Sequence, residues 1–171
     1  MDLEVEALRD LELIVRAAEK ANLARVHPIG AISKGLEGKE LAPIGAMVKA
    51  GAVAVSDDGR PVSSAELMRR ALQYARHFDV PVIQHAQDLE LTGDGAMHEG
   101  EWSARTGMPG IPGLAEDVMV ARDLLLVEET GVELRWFGVT ADGHLDLGDL
   151  DRLLDGAKLV GLTAMSNVLG T

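Results

Sequence analysis

Apolar residues recur at helical spacing from the start of the chain. Val5, Leu8, Leu11, Ile14, Val15 and Ala18 form one stripe, which predicts an N-terminal helix. Residues 24–32 then read as a strand, 41–49 as a helix and 51–56 as a short buried strand. Ser63-Ser64-Ala65-Glu66 has the form of a capping box, in which a hydroxyl takes a free amide and Glu66 reaches back. It opens a helix whose apolar side is Leu67, Met68, Ala71, Leu72, Ala75 and Phe78. Residues 80–84 form the next strand. The three strand starts recur about every 28 positions, a rhythm that suits strand-helix units with parallel strands rather than hairpins. No residue motif repeats with it.

A Gly-rich stretch from Ala86 to Pro112 reads as one long loop, and loops of that length are usually functional or disordered. Leu114 to Thr130 follows as a strong helix stopped by Gly131. Beyond it the pattern predicts a strand over 132–139, a short helix capped by Asp146 and carrying Leu147, Leu150, Leu153 and Leu154, and a last strand over 158–163. The fold class is α/β.

Composition narrows the classes. With 171 residues and 47% hydrophobic content, the chain can bury one core, built from aliphatic side chains because only 3% is aromatic. A net charge of -12 without a Lys/Arg block argues against nucleic acid or an anionic membrane as partner. No apolar run has the length of a membrane span, and the acidic N-terminus is unlike a signal peptide, so a cytoplasmic location is expected. There are no cysteines, so any metal must be held by His and carboxylates.

In parallel α/β folds the C-terminal strand ends share one face, where sites collect. Val55-Ser56-Asp57-Asp58-Gly59 and His85 each follow a strand, and a carboxylate with an imidazole suits zinc or a similar divalent ion. Taken alone, Asp-Asp-Gly after a strand is more often a turn signal, and a lone His a structural residue. The remaining histidines suggest no ligand set. His77 falls on a helix and His144 after a turn glycine, both read as solvated, while His98 falls in the long loop.

Four segments carry a family resemblance. They are Pro28-Ile29-Gly30-Ala31-Ile32, Gly51 through Gly59, Val82-Ile83-Gln84-His85-Ala86-Gln87-Asp88, and Gly107-Met108-Pro109-Gly110-Ile111-Pro112, continued by Met119 to Asp123. Residues 24–131 thereby resemble the middle of a class I dihydroorotase of the amidohydrolase superfamily. The resemblance implies part of a (β/α)8 TIM-barrel and the interconversion of carbamoyl-aspartate and dihydroorotate in pyrimidine biosynthesis. Carried over by position, Asp58 would bridge two zinc ions and His85 would bind one of them, with Asp57 the alternative to Asp58. Gln87 stands where that family usually has Glu.

The family's first-strand His-x-His pair, a further His and a late catalytic Asp find no counterparts. Residues 132–171, including Asp142 to Leu147 and the closing Ser166-Asn167-Val168-Leu169-Gly170-Thr171, resemble instead a cysteine desulfurase of the class V aminotransferase group. There Asn167 would neighbour pyridoxal phosphate, although the lysine that anchors that cofactor has no counterpart, so no pyridoxal phosphate is expected.

The chain therefore reads as two segments, 1–131 and 132–171, and as a catalytically incomplete chimeric fragment with an unclosed barrel. Five strands cannot close a barrel of eight, so exposed strand edges and apolar helix faces are expected. Two other readings stand beside it. One is a non-catalytic dihydroorotase-like module that binds a partner such as aspartate carbamoyltransferase. The other is a homo-oligomeric enzyme acting on its small-molecule substrate with ligands borrowed between subunits.

Overall fold

The computed structural model describes residues 3–132, 138–139, 145–146 and 148. These fall into two compact units, 3–85 and 86–148. This division follows packing, whereas the one expected at Gly131 rests on a change of resemblance there.

The first unit is a three-stranded parallel sheet with helices against it. Its order of elements is α1 (Leu3–Ala21), β1 (Ile29–Gly30), α2 (Ile44–Lys49), β2 (Ala54–Ser56), α3 (Ala65–Phe78) and β3 (Val82–Ile83). β2 lies between β1 and β3, with Ile29 opposite Ala54, Val55 opposite Val82 and Ser56 opposite Ile83. The strands are parallel, as the sequence rhythm predicts, and the described strands form no closed barrel. They are shorter than expected. Pro28 and Pro81 precede β1 and β3 and cannot donate to a ladder. Their carbonyls instead accept the amides of Val53 and Val55 at 2.9 and 3.0 Å.

α3 shows why the pattern reads well where packing agrees with it. The Ser64 hydroxyl caps the helix by accepting the Leu67 amide at 3.2 Å, and Glu66 pairs with Arg70 one turn on at 2.7 Å. Its stripe of Leu67, Met68, Ala71, Leu72 and Ala75 is buried, and Ile32, Ile44, Met47 and Val55 of the same unit are buried with it. Each such large side chain contributes about 1.5–3 kcal/mol on leaving water. α2 approaches closely: a Cβ on Gly30 would sit 3.0 Å from the Met47 sulfur, and one on Gly45 would sit 2.3 Å from the Phe78 ring.

α1 is less well covered. Of its predicted stripe Leu11 is buried, while Ile14 is 44% exposed beside a 66% exposed Leu13. Leu23, Val26 and the β1 residue Ile29 are exposed too.

The second unit corrects the expectation of one long loop. Residues 86–112 contain α4 (Leu89–Thr92), β4 (Met97–His98), α5 (Glu101–Thr106) and β5 (Gly110–Ile111). β4 and β5 pair in parallel, Met97 with Gly110 and His98 with Ile111, and α5 is the crossover. Elements of two to six residues are too short to display a period, which is why they read as loop. Their caps do the work instead. The Asp88 carboxylate accepts the amides of Glu90 and Leu91 at 3.0 Å, and Ser103 Oγ accepts the Gly100 amide at 2.9 Å. α6 (Leu114–Thr130) has the predicted bounds, and Gly131 ends it at a φ of 68°.

Beyond α6, β6 (Gly138–Val139) and β7 (Leu145–Asp146) pair antiparallel. Asp146 is the last residue of β7. The helix and strand predicted over 147–163 lie outside the described residues.

Candidate functional site

Three parallel strands bring their C-terminal ends to one edge of the first unit, and the loops leaving those ends build the site. β2 runs out into a turn over Asp57–Arg60, closed by the Arg60 amide donating to the Asp57 carbonyl at 2.9 Å. Gly59 holds a φ of +87°, which a side chain would resist, so the Asp-Asp-Gly sequence is a turn signal here as well. The Ser56 hydroxyl accepts the Asp58 amide at 2.9 Å and steadies the same turn.

The two aspartates face different surroundings. Asp57 is 2% exposed, with Oδ1 accepting the amides of Ile32 and Ser33 at 2.8 and 3.0 Å and Oδ2 accepting the Ser33 hydroxyl. Asp58 has a side chain 80% exposed, and its Oδ1 lies 3.3 Å from Nδ1 of His85, the residue that leaves β3. Twenty-seven positions apart in sequence, these two donors meet because β2 and β3 are neighbours in register.

A concavity of about 430 Å³ adjoins the pair, with Asp57, Asp58 and Ser56 on its polar side and Ile29, Leu36 and Ile83 on its apolar side. Leu36 comes from the β1–α2 connection and carries a positive φ of 56°. Arg60 reaches across to donate to the Leu36 carbonyl at 3.4 Å.

The donor set and its spacing suit a divalent metal. Two ligands held at about 2.0–2.1 Å on a tetrahedral zinc stand about 3.3–3.4 Å from each other. The Asp58–His85 separation of 3.3 Å matches that edge. Among the described residues no cluster of three or more His, Asp or Glu side chains with metal-holding geometry occurs.

The remaining described histidines, His27 among them, lie elsewhere. His27 precedes β1 and is exposed, His98 is an exposed residue of β4, and His77 is an exposed residue of α3 whose ring meets Phe78 edge-on at 4.9 Å. The Gln87 amide donates to the Thr92 hydroxyl at 3.0 Å within the second unit. His144 and Asn167 lie outside the described residues. What the pattern missed was the Ser33 hydroxyl, which nothing in its sequence surroundings marks as a partner of Asp57.

Comparison with known proteins identifies the family. The chain matches the family model described as "Dihydro-orotase-like" over residues 5–166, and it belongs to that family. It is 55% identical over 157 residues to the dihydroorotase of Anaeromyxobacter dehalogenans (strain 2CP-C), a match covering 92% of this chain and 35% of the relative. It is 58% identical over 118 residues to the dihydroorotase of Solibacter usitatus (strain Ellin6076), covering 69% and 27%. With the dihydroorotase of Syntrophotalea carbinolica it shares 48% identity over 136 residues. The chain thus spans about a third of the length of the curated relatives it matches.

The family match crosses Gly131 and continues to residue 166, through the segment expected to resemble a cysteine desulfurase. Nothing in these comparisons supports that second resemblance or a chimeric join. No described helix is long and apolar enough to cross a membrane.

Proposed function

We propose that this chain forms part of a dihydroorotase, a metal-dependent hydrolase of cyclic amides that interconverts dihydroorotate and carbamoyl-aspartate, and that Asp58 and His85 are two of its zinc ligands. The observation that carries the reading is the 3.3 Å approach of Asp58 Oδ1 to His85 Nδ1 at the ends of neighbouring parallel strands, in a chain of dihydroorotase family. Geometry also favours Asp58 over Asp57 as ligand. Both oxygens of Asp57 are occupied by Ile32 and Ser33, whereas Asp58 turns outward to the imidazole.

A bound zinc would supply an activated water and a polarised amide carbonyl. The chain's own residues do the rest. Asp58 offers a carboxylate oxygen and His85 an imidazole nitrogen, the donor types such an ion takes. Ile29, Leu36 and Ile83 give the neighbouring concavity an apolar side, against which a small flat ring can lie.

Two donors among the described residues make a weak metal site, so the chain by itself is expected to bind zinc loosely. No observation favours a non-catalytic module docked on aspartate carbamoyltransferase. The test is zinc binding followed calorimetrically, alongside zinc-dependent hydrolysis of dihydroorotate. Binding abolished by Asp58→Asn and by His85→Ala supports the reading. Binding untouched by both variants would sink it.

A further inference from the structure

Asp57 spends its buried carboxylate on a single segment of chain. Besides the amides of Ile32 and Ser33 it takes the Ser33 hydroxyl, and that hydroxyl oxygen accepts the Gly38 amide at 2.8 Å. The segment so anchored is a tight hairpin. Ser33 bridges Leu41 in antiparallel fashion, Lys34 donates to the Glu40 carbonyl, and Ala42 donates to the Ile32 carbonyl, both at 2.9 Å. At its tip Gly35 and Leu36 both have positive φ, at 60° and 56°. For leucine that conformation costs about 1–2 kcal/mol and persists only where the surroundings enforce it.

The hairpin meets the Asp57–Arg60 turn twice: at its base through Asp57, and at its tip where Arg60 donates to the Leu36 carbonyl. The Asp58 side chain, at 80% exposure, has little packing to select its rotamer. Its direction is set by the backbone of the turn, and that backbone is pinned on one side by the Asp57 carboxylate.

We propose that Asp57 is a positioning residue: by locking the hairpin of residues 32–42 to the turn of residues 57–60, it aims Asp58 at His85 and holds Leu36 as the apolar wall beside the pair. In its metal-binding arm this rests on the reading of Asp58 and His85 as ligands; its metal-free arm stands apart from that reading. An outer carboxylate of this kind acts through the ligand's orientation rather than by touching a metal or substrate.

The experiment follows the His85 ring nitrogens by NMR in the full chain, first without metal and then during a zinc titration. The variants are Asp57→Ala, Asp57→Asn, Ser33→Ala and, as reference, Asp58→Ala. Without metal, Asp57→Ala should move the His85 ring signals most of the way to their Asp58→Ala positions. Asp57→Asn keeps an acceptor for the two amides and should lie between, and that graded rescue is what a merely folded scaffold would not produce. In the zinc titration the dissociation constant read at His85 should rise about tenfold in Asp57→Ala.

The proposal is overturned if both Asp57 variants keep the wild-type His85 signals while the Ser33 and Gly38 amides lose protection from exchange. It falls equally if Asp58→Ala leaves His85 unmoved. Should Asp57→Ala fail to fold, as judged by its Leu72 methyl signals, Asp57→Asn and Ser33→Ala decide the matter by the same criteria. Zinc leaving wild-type His85 unmoved would refute the ligand reading alone, and the metal-free shifts would still decide the role of Asp57.

Discussion

Asp57 and Asp58 are neighbours in the chain with opposite surroundings: Asp57 is closed over by the Ile32–Ser33 backbone, and Asp58 stands in the open 3.3 Å from His85. A strand end followed by a turn separates them in this way, because successive side chains of an extended chain point to opposite sides. Burial ties Asp57 to the architecture and leaves the Asp58 side chain accessible.

That separation predicts opposite profiles for two alike substitutions. Asp57→Ala leaves two buried amides and a hydroxyl without their charged acceptor, a loss of about 3 kcal/mol. Asp58→Asn alters an exposed group and should change stability by less than about 0.5 kcal/mol. Urea denaturation of the two variants beside wild type measures both, and equal midpoints would contradict the assignment.

Zinc should stabilise the folded chain, because a ligand that binds only the native state adds RT ln(1 + [L]/Kd), about 2.7 kcal/mol at a hundredfold excess over Kd. The rise in melting temperature should reverse with a chelator and be lost in His85→Ala. A rise of the same size in His85→Ala would place the ion elsewhere.

Gly45 on α2 faces the Phe78 ring so closely that a Cβ would lie 2.3 Å from it. In the helix, alanine gains about 1 kcal/mol over glycine. Overpacking costs about 1–3 kcal/mol. Gly45→Ala should therefore destabilise by about 1 kcal/mol, and the sign should reverse in a Phe78→Leu background. Additive effects in the double variant would show that the ring is not the obstacle.

Leu72, 3% exposed on α3, belongs to the buried core of the first unit. Leu72→Ala should cost about 2–5 kcal/mol, the range for a buried leucine cut to alanine. Leu13→Ala on α1, where the side chain is 66% exposed, should fall within about 0.5 kcal/mol. Thermal melts of the pair rank the two helices.

Long elements were legible from pattern alone. α6 begins at Leu114 and stops at Thr130 as its periodicity and Gly131 indicate, and α3 buries its stripe of Leu67, Met68, Ala71, Leu72 and Ala75. The same rhythm carried the parallel order of β1, β2 and β3. Short elements were not legible. Residues 24–32 contribute two strand residues, and residues 86–112 hide two strands and two helices whose spans are too brief for a period to emerge.

The sequence by itself determined the donor types, the strand-end positions of Asp57, Asp58 and His85, and a dihydroorotase likeness over residues 24–131, which the family match over residues 5–166 bears out and carries past the boundary expected at Gly131. Local patterning suffices for these, since periodicity, turn residues and motif are properties of neighbouring positions. Only the tertiary structure decided which aspartate is sealed by the Ser33 hairpin and which meets His85. Those contacts join residues 24 and 27 positions apart, and they exist only once the parallel strands have aligned.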